Sequence, residues 1–248
     1  MKGNMQTPDL STVSSALEAL EETIVSKLID RAQFRHNTRV YEPGRSGFAE
    51  EEHVSLLDLR LRFQEHMDAE FGRFEVPEER PFNTNLPEPK RNVRVRETGL
   101  HLDGYNCINL TPHIKDSYLA LVPCICRPGD DGQYGSSVEH DVYALQAVSR
   151  RIHFGAMYVA ECKYRQHPRK WGALIAQGNV EGLWEALTRK DVERAILARV
   201  RDKVARAQSL VNTKVRHTID PEVVLRYYRN HIIPRTKEGE VLYLLNRR

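Results

Sequence analysis

The run of residues 149–163 constrains the fold of this chain more than any other segment. Apolar and small residues recur in and before it at intervals of three and four, which predicts a long helix facing a core. They are Ala144, Leu145, Val148, Ile152, Ala156, Val159 and Ala160. The same helix carries Arg151 and Lys163, which therefore project from an element that is largely inside the protein. Because an unpaired buried charge is very costly, these two cations need anionic partners.

Two kinds of partner satisfy that need. Acidic side chains would make a structural ion-pair network, whereas a bound anionic ligand would make a functional site. Later in the chain Arg189 lies four residues before Glu193, and Thr236 lies four residues before Glu240, so each pair shares a helix face. A polar cavity between helices or ion pairing on helix surfaces would each account for these pairs.

Composition excludes several functional classes. The 37 Lys and Arg residues are nearly matched by 34 Asp and Glu residues and are spread along the chain, unlike the clustered charge of a nucleic-acid footprint. The longest apolar runs, such as residues 119–126, are too short to span a membrane, and residues 1–10 lack the apolar block of a signal peptide. Four cysteines in 248 residues form no disulfide framework, which predicts a reducing, cytoplasmic location. Cys124 and Cys126 are too close together for the usual zinc-ligand spacing, so no metal site is expected.

Periodicity, capping residues and prolines predict a helical chain. The predicted helices cover residues 8–34, 53–71, 111–126, 136–166, 170–177, 180–187, 190–210 and 220–248. Ser136 or Ser137 is expected to cap the long central helix, and Pro234 to kink the last helix near Asn230. The two-residue alternation of a strand occurs only weakly, at residues 92–97. The sequence therefore predicts an all-α fold, a single-domain bundle of residues 1–248 with long central helices, of a kind that often dimerises.

Several motifs resemble the eukaryotic-type chorismate mutases, in the same order and over nearly the whole chain. The longest are SRRIHFG at residues 149–155, VAECK at 159–163 and IPRTKEGEV at 233–241. The family is all-helical, usually dimeric, and converts chorismate to prephenate at the branch toward phenylalanine and tyrosine. The resemblance thus implies a homodimeric isomerase of aromatic amino acid biosynthesis.

That reaction is an intramolecular [3,3] rearrangement, so the resemblance implies no nucleophile, metal or cofactor. The protein must hold a flexible dicarboxylate compact and stabilise negative charge on the breaking ether oxygen. By resemblance, Arg151 binds a substrate carboxylate, and Lys163 serves a carboxylate and the ether oxygen. The resemblance also implies that Thr236 contacts a carboxylate, that Glu193 accepts a hydrogen bond from the ring hydroxyl, and that Glu240 is the second donor to the ether oxygen.

Two departures from the family pattern affect this site. Ser14 occupies the position of a further arginine on the first helix, and Arg189 occupies the position of a small amide one turn before Glu193. One hypothesis is that Arg189 compensates for the missing cation at position 14 as a substrate-binding residue. The alternatives are action on a chorismate relative such as isochorismate, or a catalytically weak homologue that serves as a regulatory binding protein.

The family also has an effector site for tyrosine and tryptophan, which Arg73, Gly135 and Ser136 match. The arginine that neighbours Arg73 in the family is Gly72 here, and a threonine three residues after Ser136 is Glu139. The loss of a guanidinium and the gain of a carboxylate disfavour an amino-acid carboxylate at that spot. The sequence therefore predicts little or no feedback control.

The spacing of Arg151 and Lys163 makes a specific structural prediction. In the family the matching residues are eleven apart, which on a helix of about 100° per residue returns to within roughly 20° of the start. Here the spacing is twelve, which would rotate Lys163 to about 120° from Arg151. One extra residue in a helix is commonly absorbed as a π-turn. We therefore expect a π-type turn between Gly155 and Val159, eased by Gly155, that returns Lys163 to the Arg151 face.

Overall fold

The computed structural model describes residues 9–94 and 97–248, and in them the chain is all-α, as predicted. Ten α-helices occupy these residues: α1 Leu10–Arg31, α2 Leu56–Glu70, α3 Thr111–Ile125, α4 Tyr134–Phe154, α5 Ala160–Gln166, α6 Pro168–Ala176, α7 Val180–Leu187, α8 Lys190–Gln208, α9 Pro221–Tyr227 and α10 Ile233–Asn246. Within the same two segments, β-type pairing is limited to an isolated bridge between Arg35 and Arg127. None of the helices described combines the length and the apolar character that crossing a membrane requires.

Side-chain caps fix several of the helix starts. The side chains of Asp9, Ser55 and Asp220 accept hydrogen bonds from backbone N–H groups in the first turns of α1, α2 and α9. The prediction that Ser136 or Ser137 caps the central helix is wrong. Helix α4 begins at Tyr134 and has no side-chain cap, because Gly132 (φ +72°) turns the chain into the helix two residues earlier.

Two π-turns interrupt the predicted long helices. The first spans Gly155–Val159 between α4 and α5, where the residue spacing predicted it. The second spans Tyr228–Ile232 between α9 and α10, at the position predicted for the kink. Pro234 explains the second, because it has no N–H to donate to the carbonyl of Asn230 four residues earlier.

Some predictions fall partly on residues outside the described segments. Residues 1–8 belong to the segment that was compared with a signal peptide. Residues 95–96 are in the middle of the weak strand candidate. The flanking residues 92–94 and 97 of that candidate form no strand.

A largely buried polar cluster joins α1 to α4 at the main apolar core. Arg31 on α1 donates through Nε to Asp141 on α4 at 2.6 Å. The hydroxyls of Tyr41 and Tyr118 also donate to the Asp141 carboxylate, at 2.8 and 2.7 Å. Burial raises the pKa of Asp141, and the Arg31 charge and these hydrogen bonds oppose that rise. The cluster fixes α4, whose last turn carries Arg151.

Helix α10 packs against the first π-turn at two glycines. A Cβ at Gly239 would lie 2.5 Å from the Ala156 Cβ, and a Cβ at Gly155 would lie 2.8 Å from the Thr236 Cγ2. Both distances are shorter than van der Waals contact, so neither position accepts a side chain without movement. The close approach places Thr236 and Glu240 of α10 opposite Arg151 and Lys163.

Candidate active site

A cavity of about 310 Å³ lies among α1, α4, α5, α8 and α10. Its lining includes the six residues predicted for catalysis or substrate binding, namely Arg151, Lys163, Arg189, Glu193, Thr236 and Glu240. Apolar side chains such as Leu17, Val159 and Ile196 form much of the remaining wall. The fold therefore brings together residues that are up to 89 positions apart in the sequence.

Within residues 9–94 and 97–248, Arg151 is a buried cation without an acidic partner. Its side chain is 2% exposed, and no carboxylate oxygen in the described residues lies within 4 Å of its guanidinium. Its NH1 donates to the Thr236 hydroxyl at 2.8 Å, and its buried Nε has no acceptor among those residues. Burial lowers the pKa of Arg151, and nearby groups including Glu21 and Glu240 oppose that shift. Because guanidinium remains charged in proteins, this arrangement is suited to a bound anion.

Lys163 reaches the same cavity because of the first π-turn, as the spacing predicted. Its Nζ lies 2.7 Å from the Glu240 Oε2. The prediction that Gly155 eases the backbone distortion is wrong, since its φ of −59° and ψ of −48° are those of an ordinary helix. Glycine is instead required at this position by the close packing of Thr236 and of the Arg151 guanidinium, whose NH1 would lie 3.4 Å from a Cβ there.

Glu240 is a buried carboxyl group in an unusual electrostatic setting. Its residue is 7% exposed, and burial raises its pKa, while the charge and hydrogen bond of Lys163 oppose the rise. A carboxyl group with a raised pKa is protonated over a wider pH range and can then donate a hydrogen bond. The cavity thus holds an ammonium donor and a potential carboxyl donor side by side.

Glu193 is held by a lysine that sequence reasoning missed. The Nζ of Lys237 lies 2.9 Å from the Glu193 Oε1 and also donates to the Thr188 hydroxyl at 2.8 Å. It lies 5.1 Å from the centre of the Trp184 ring, within cation–π range. Lys237 directly follows Thr236 in the sequence, and this position was the signal that could have identified it as a residue of the site.

A second ion-pair group lines the α1 side of the cavity and was also missed. Glu21 is fully buried and accepts from Arg199 Nε at 2.9 Å and NH2 at 2.8 Å. Lys203 lies 3.3 Å from the same carboxylate. The signal for Glu21 was a carboxylate on the apolar stripe of α1 that includes Ile24 and Leu28.

The two departures from the family pattern lie at the rim. Ser14 is exposed on α1 and lines the cavity. The Arg189 side chain is 62% exposed, and its guanidinium donates to Asp191 through Nε at 3.2 Å and NH2 at 3.0 Å. The geometry therefore directs the Arg189 charge to Asp191, and its compensating role stays a hypothesis.

The predicted effector residues lie elsewhere. Arg73 donates to Asp68, to Glu79 and to the Gln146 side chain of α4. Gly135 is in the first turn of α4, eleven residues from Gln146 and so roughly 16 Å away along the helix axis. Within one chain, the structure does not bring Arg73 close to Gly135 and Ser136, and their effector role stays a prediction.

Replacing Arg151 and Lys163 one at a time should change stability in opposite directions. Arg151→Met removes a desolvated charge that has no acidic partner, so we expect the free energy of unfolding to rise by about 1 kcal/mol or more. Lys163→Met leaves the buried Glu240 carboxylate without its donor and should lower that free energy by about 1–3 kcal/mol. Denaturant titration at neutral pH measures both variants. A loss of stability in Arg151→Met as large as that in Lys163→Met would show that Arg151 is a structural ion-pair residue.

Comparison with known proteins identifies the family of this chain. No protein-family model matches the chain. The chorismate mutase of Schizosaccharomyces pombe is 36% identical over 244 residues, 96% of each chain, and chorismate mutase 2 of Arabidopsis thaliana is 35% identical over 251 residues, 96% of this chain and 92% of that one. The crystal structure of a Candida albicans chorismate mutase in complex with L-tryptophan superposes with a TM-score of 0.88 at 33% identity, covering 96% of this chain and 91% of that one. On the strength of these full-length similarities in sequence and fold, the chain belongs to the chorismate mutase family.

Proposed function

We propose that the protein is a chorismate mutase that rearranges chorismate to prephenate in the cavity among α1, α4, α5, α8 and α10. The observation that carries this proposal is the buried Arg151 guanidinium, which has a hydroxyl partner but no carboxylate partner in the part of the chain that the structure describes. A dicarboxylate substrate supplies the missing anion. The Thr236 hydroxyl, 2.8 Å from NH1, holds the guanidinium in position.

The chemistry requires no group transfer to the protein. One carbon–oxygen bond of chorismate breaks while a carbon–carbon bond forms in the same molecule, and electron density builds up on the ether oxygen. Lys163 and a protonated Glu240 lie together where two donors can stabilise that oxygen. Glu193, which is paired with Lys237, accepts a hydrogen bond from the ring hydroxyl. Catalysis then consists of holding a compact conformer and stabilising charge with preorganised donors.

The location and domain structure follow the same proposal. None of the four cysteines forms a disulfide within the described residues, which suits a reducing, cytoplasmic compartment. A core cluster that draws on α1, α3, α4, α8 and α9 supports a single domain over residues 1–248. The product would serve aromatic amino acid biosynthesis.

A direct assay tests the proposed function. Purified protein is mixed with chorismate, the loss of chorismate absorbance is followed, and the product is identified as prephenate. The exposed, neutral Ser14 favours two alternatives, an enzyme that acts on a chorismate relative and a catalytically weak homologue that serves as a regulatory binding protein. A different product, or turnover of isochorismate alone, would replace the proposal with the first alternative. No turnover by folded protein would replace it with the second.

Activity should increase as the pH falls from neutral. Glu240 must be protonated to donate to the ether oxygen, and its pKa is raised by burial, so the protonated fraction grows as the pH decreases toward that pKa. Glu240→Gln donates at every pH, and we expect its rate to lose most of this dependence. The measurement is the pH profile of kcat and kcat/KM between roughly pH 5 and 8. A flat wild-type profile over that interval would exclude the donor role.

We expect little response to tyrosine or tryptophan. The Arg73 guanidinium is already occupied by Asp68, Glu79 and Gln146, and the Glu139 carboxylate adds negative charge at the predicted effector position, where it pairs with Arg60 at 3.1 Å. An amino-acid carboxylate would have to displace these acids. Assays with each amino acid at millimolar concentration should give rates within twofold, roughly, of the rate without effector. A several-fold change with either one would contradict the expectation.

We also propose that the protein is a homodimer that covers an apolar stripe on α2. Phe63, Met67 and Phe71 lie four residues apart on one helix face and are 55%, 48% and 65% exposed, and the Phe48 ring lies 6.3 Å from that of Phe63. A contiguous exposed patch of large apolar side chains is typical of an interaction surface. The dimeric habit implied by the family resemblance supports a second copy of this chain as the occupant, paired by a two-fold axis.

Sedimentation of variants tests the dimer. Met67→Glu places a charge in the middle of the stripe, and we expect it to yield monomers at concentrations where the wild type is dimeric. Leu210→Glu is the matched control, because Leu210 is 99% exposed and belongs to no such stripe. A monomeric wild type, or equal dimerisation of wild type and Met67→Glu, would refute the interface.

A further inference from the structure

Besides Arg151, the cavity contains another arginine whose hydrogen bonds are incomplete. Arg199 on α8 uses Nε and NH2 for the buried Glu21 carboxylate, at 2.9 and 2.8 Å. Its NH1 donates no hydrogen bond within the described part of the chain and makes only a 3.4 Å ion-pair contact with Glu18. The Glu18 side chain is 47% exposed, so solvent weakens this contact.

The contact between Arg199 and Glu18 lies at the α1 side of the cavity. Glu18 and Glu21 line the cavity together with Arg199, and Glu18 is one helical turn after Ser14 on α1. The Glu18 carboxylate that NH1 contacts is therefore on the same helix face as the exposed, neutral position 14. The two bonds to Glu21 hold the guanidinium plane in place, so a ligand that reaches NH1 meets a preorganised donor.

Three of the other cavity cations are paired with carboxylates. Lys163 is 2.7 Å from Glu240, and Lys237 is 2.9 Å from Glu193. Arg189 is turned to Asp191 in solvent. Arg151 can hold one carboxylate with Thr236, but a dicarboxylate has a second, and Arg199 offers a rigid N–H group for it on the α1 side.

We propose that Arg199 binds the second carboxylate of the substrate. Its NH1 gives up the contact with Glu18 and binds the ligand instead. Arg199 then supplies the positive charge that is missing because position 14 is a serine. The inference rests on the proposed function, because it takes the dicarboxylate to be chorismate. Binding through NH1 leaves the Glu21 pair intact. Glu18 competes with the substrate for the same group.

Four variants test the role of Arg199. Arg199→Lys keeps a positive charge for Glu21 but cannot serve two carboxylates at once, so we expect KM for chorismate to rise roughly 10-fold or more, with a smaller change in kcat. Glu18→Gln removes the competitor and should lower KM. Adding Ser14→Arg to Arg199→Lys should restore much of the lost affinity. Adding Ser15→Arg instead is the matched control, because it adds the same charge one residue along α1, at an exposed residue outside the cavity lining.

The outcomes separate this inference from the proposed function. An unchanged KM in Arg199→Lys would overturn the proposed binding of a substrate carboxylate by Arg199, even if the wild type makes prephenate. Equal effects of Ser14→Arg and Ser15→Arg would overturn it as well. Equal unfolding midpoints of Arg199→Lys and wild type show that the KM change does not come from a loosened fold. If the wild type has no turnover, calorimetric titration of the same proteins with chorismate measures the contribution of Arg199 to the binding affinity. Equal affinities, or no binding by any of them, would then overturn the proposed role of Arg199.

Discussion

The buried charge of Arg151, which no acidic residue of segments 9–94 and 97–248 pairs with, is the constraint on which the rest of the site depends. Removing an ion from water costs several kcal/mol even after relaxation, and Thr236 provides only a neutral hydrogen bond in return. The protein tolerates this cost because α4 is fixed elsewhere, through the fully buried Arg31–Asp141 pair and the core around it. Local instability at the cavity is therefore offset by stability at the other end of the same helix. A ligand carboxylate relieves the instability, and its binding energy can be used to hold a compact conformer.

The two π-turns give the cavity its geometry. One shifts Lys163 back to the Arg151 side, and the other lies directly before α10, which carries Thr236 and Glu240. Each has an identifiable cause in the sequence, an extra residue in the first case and Pro234 in the second. Helix α10 then approaches the first π-turn closely because Gly155 and Gly239 have no side chains at the contact. Packing and backbone irregularity thus act together to point four polar side chains into one space.

Much of the fold could be predicted because it depends on local signals. Apolar periodicity located the helices, Asp220 and Pro221 marked the start of α9, and a count of residues located the first π-turn. The start of α4 was misplaced because Gly132 turns the chain before the two serines that resemble caps. The role of Gly155 was misjudged because its neighbour Thr236 is 81 positions away, and periodicity carries no information about that contact.

The site was only partly predictable for the same reason. Arg151, Lys163 and Glu240 stood out as polar residues on apolar helices or in motifs of the family. Glu21 and Arg199 were missed, although Glu21 interrupts an apolar stripe, because their pairing joins two helices that are distant in sequence. The Arg189 side chain can point into the cavity or toward Asp191, and residue spacing alone cannot predict which direction it takes.

The most direct measurement is a crystal structure with a rigid bicyclic dicarboxylate that imitates the compact geometry of the rearranging substrate. The account predicts that one carboxylate lies about 2.8–3.0 Å from the Arg151 guanidinium and shares it with the Thr236 hydroxyl. It also predicts that the ether oxygen of the ligand lies between Lys163 and Glu240. A ligand bound outside this cavity, with Arg151 still in contact with Thr236 alone, would contradict the central claim that the buried charge exists to bind the substrate.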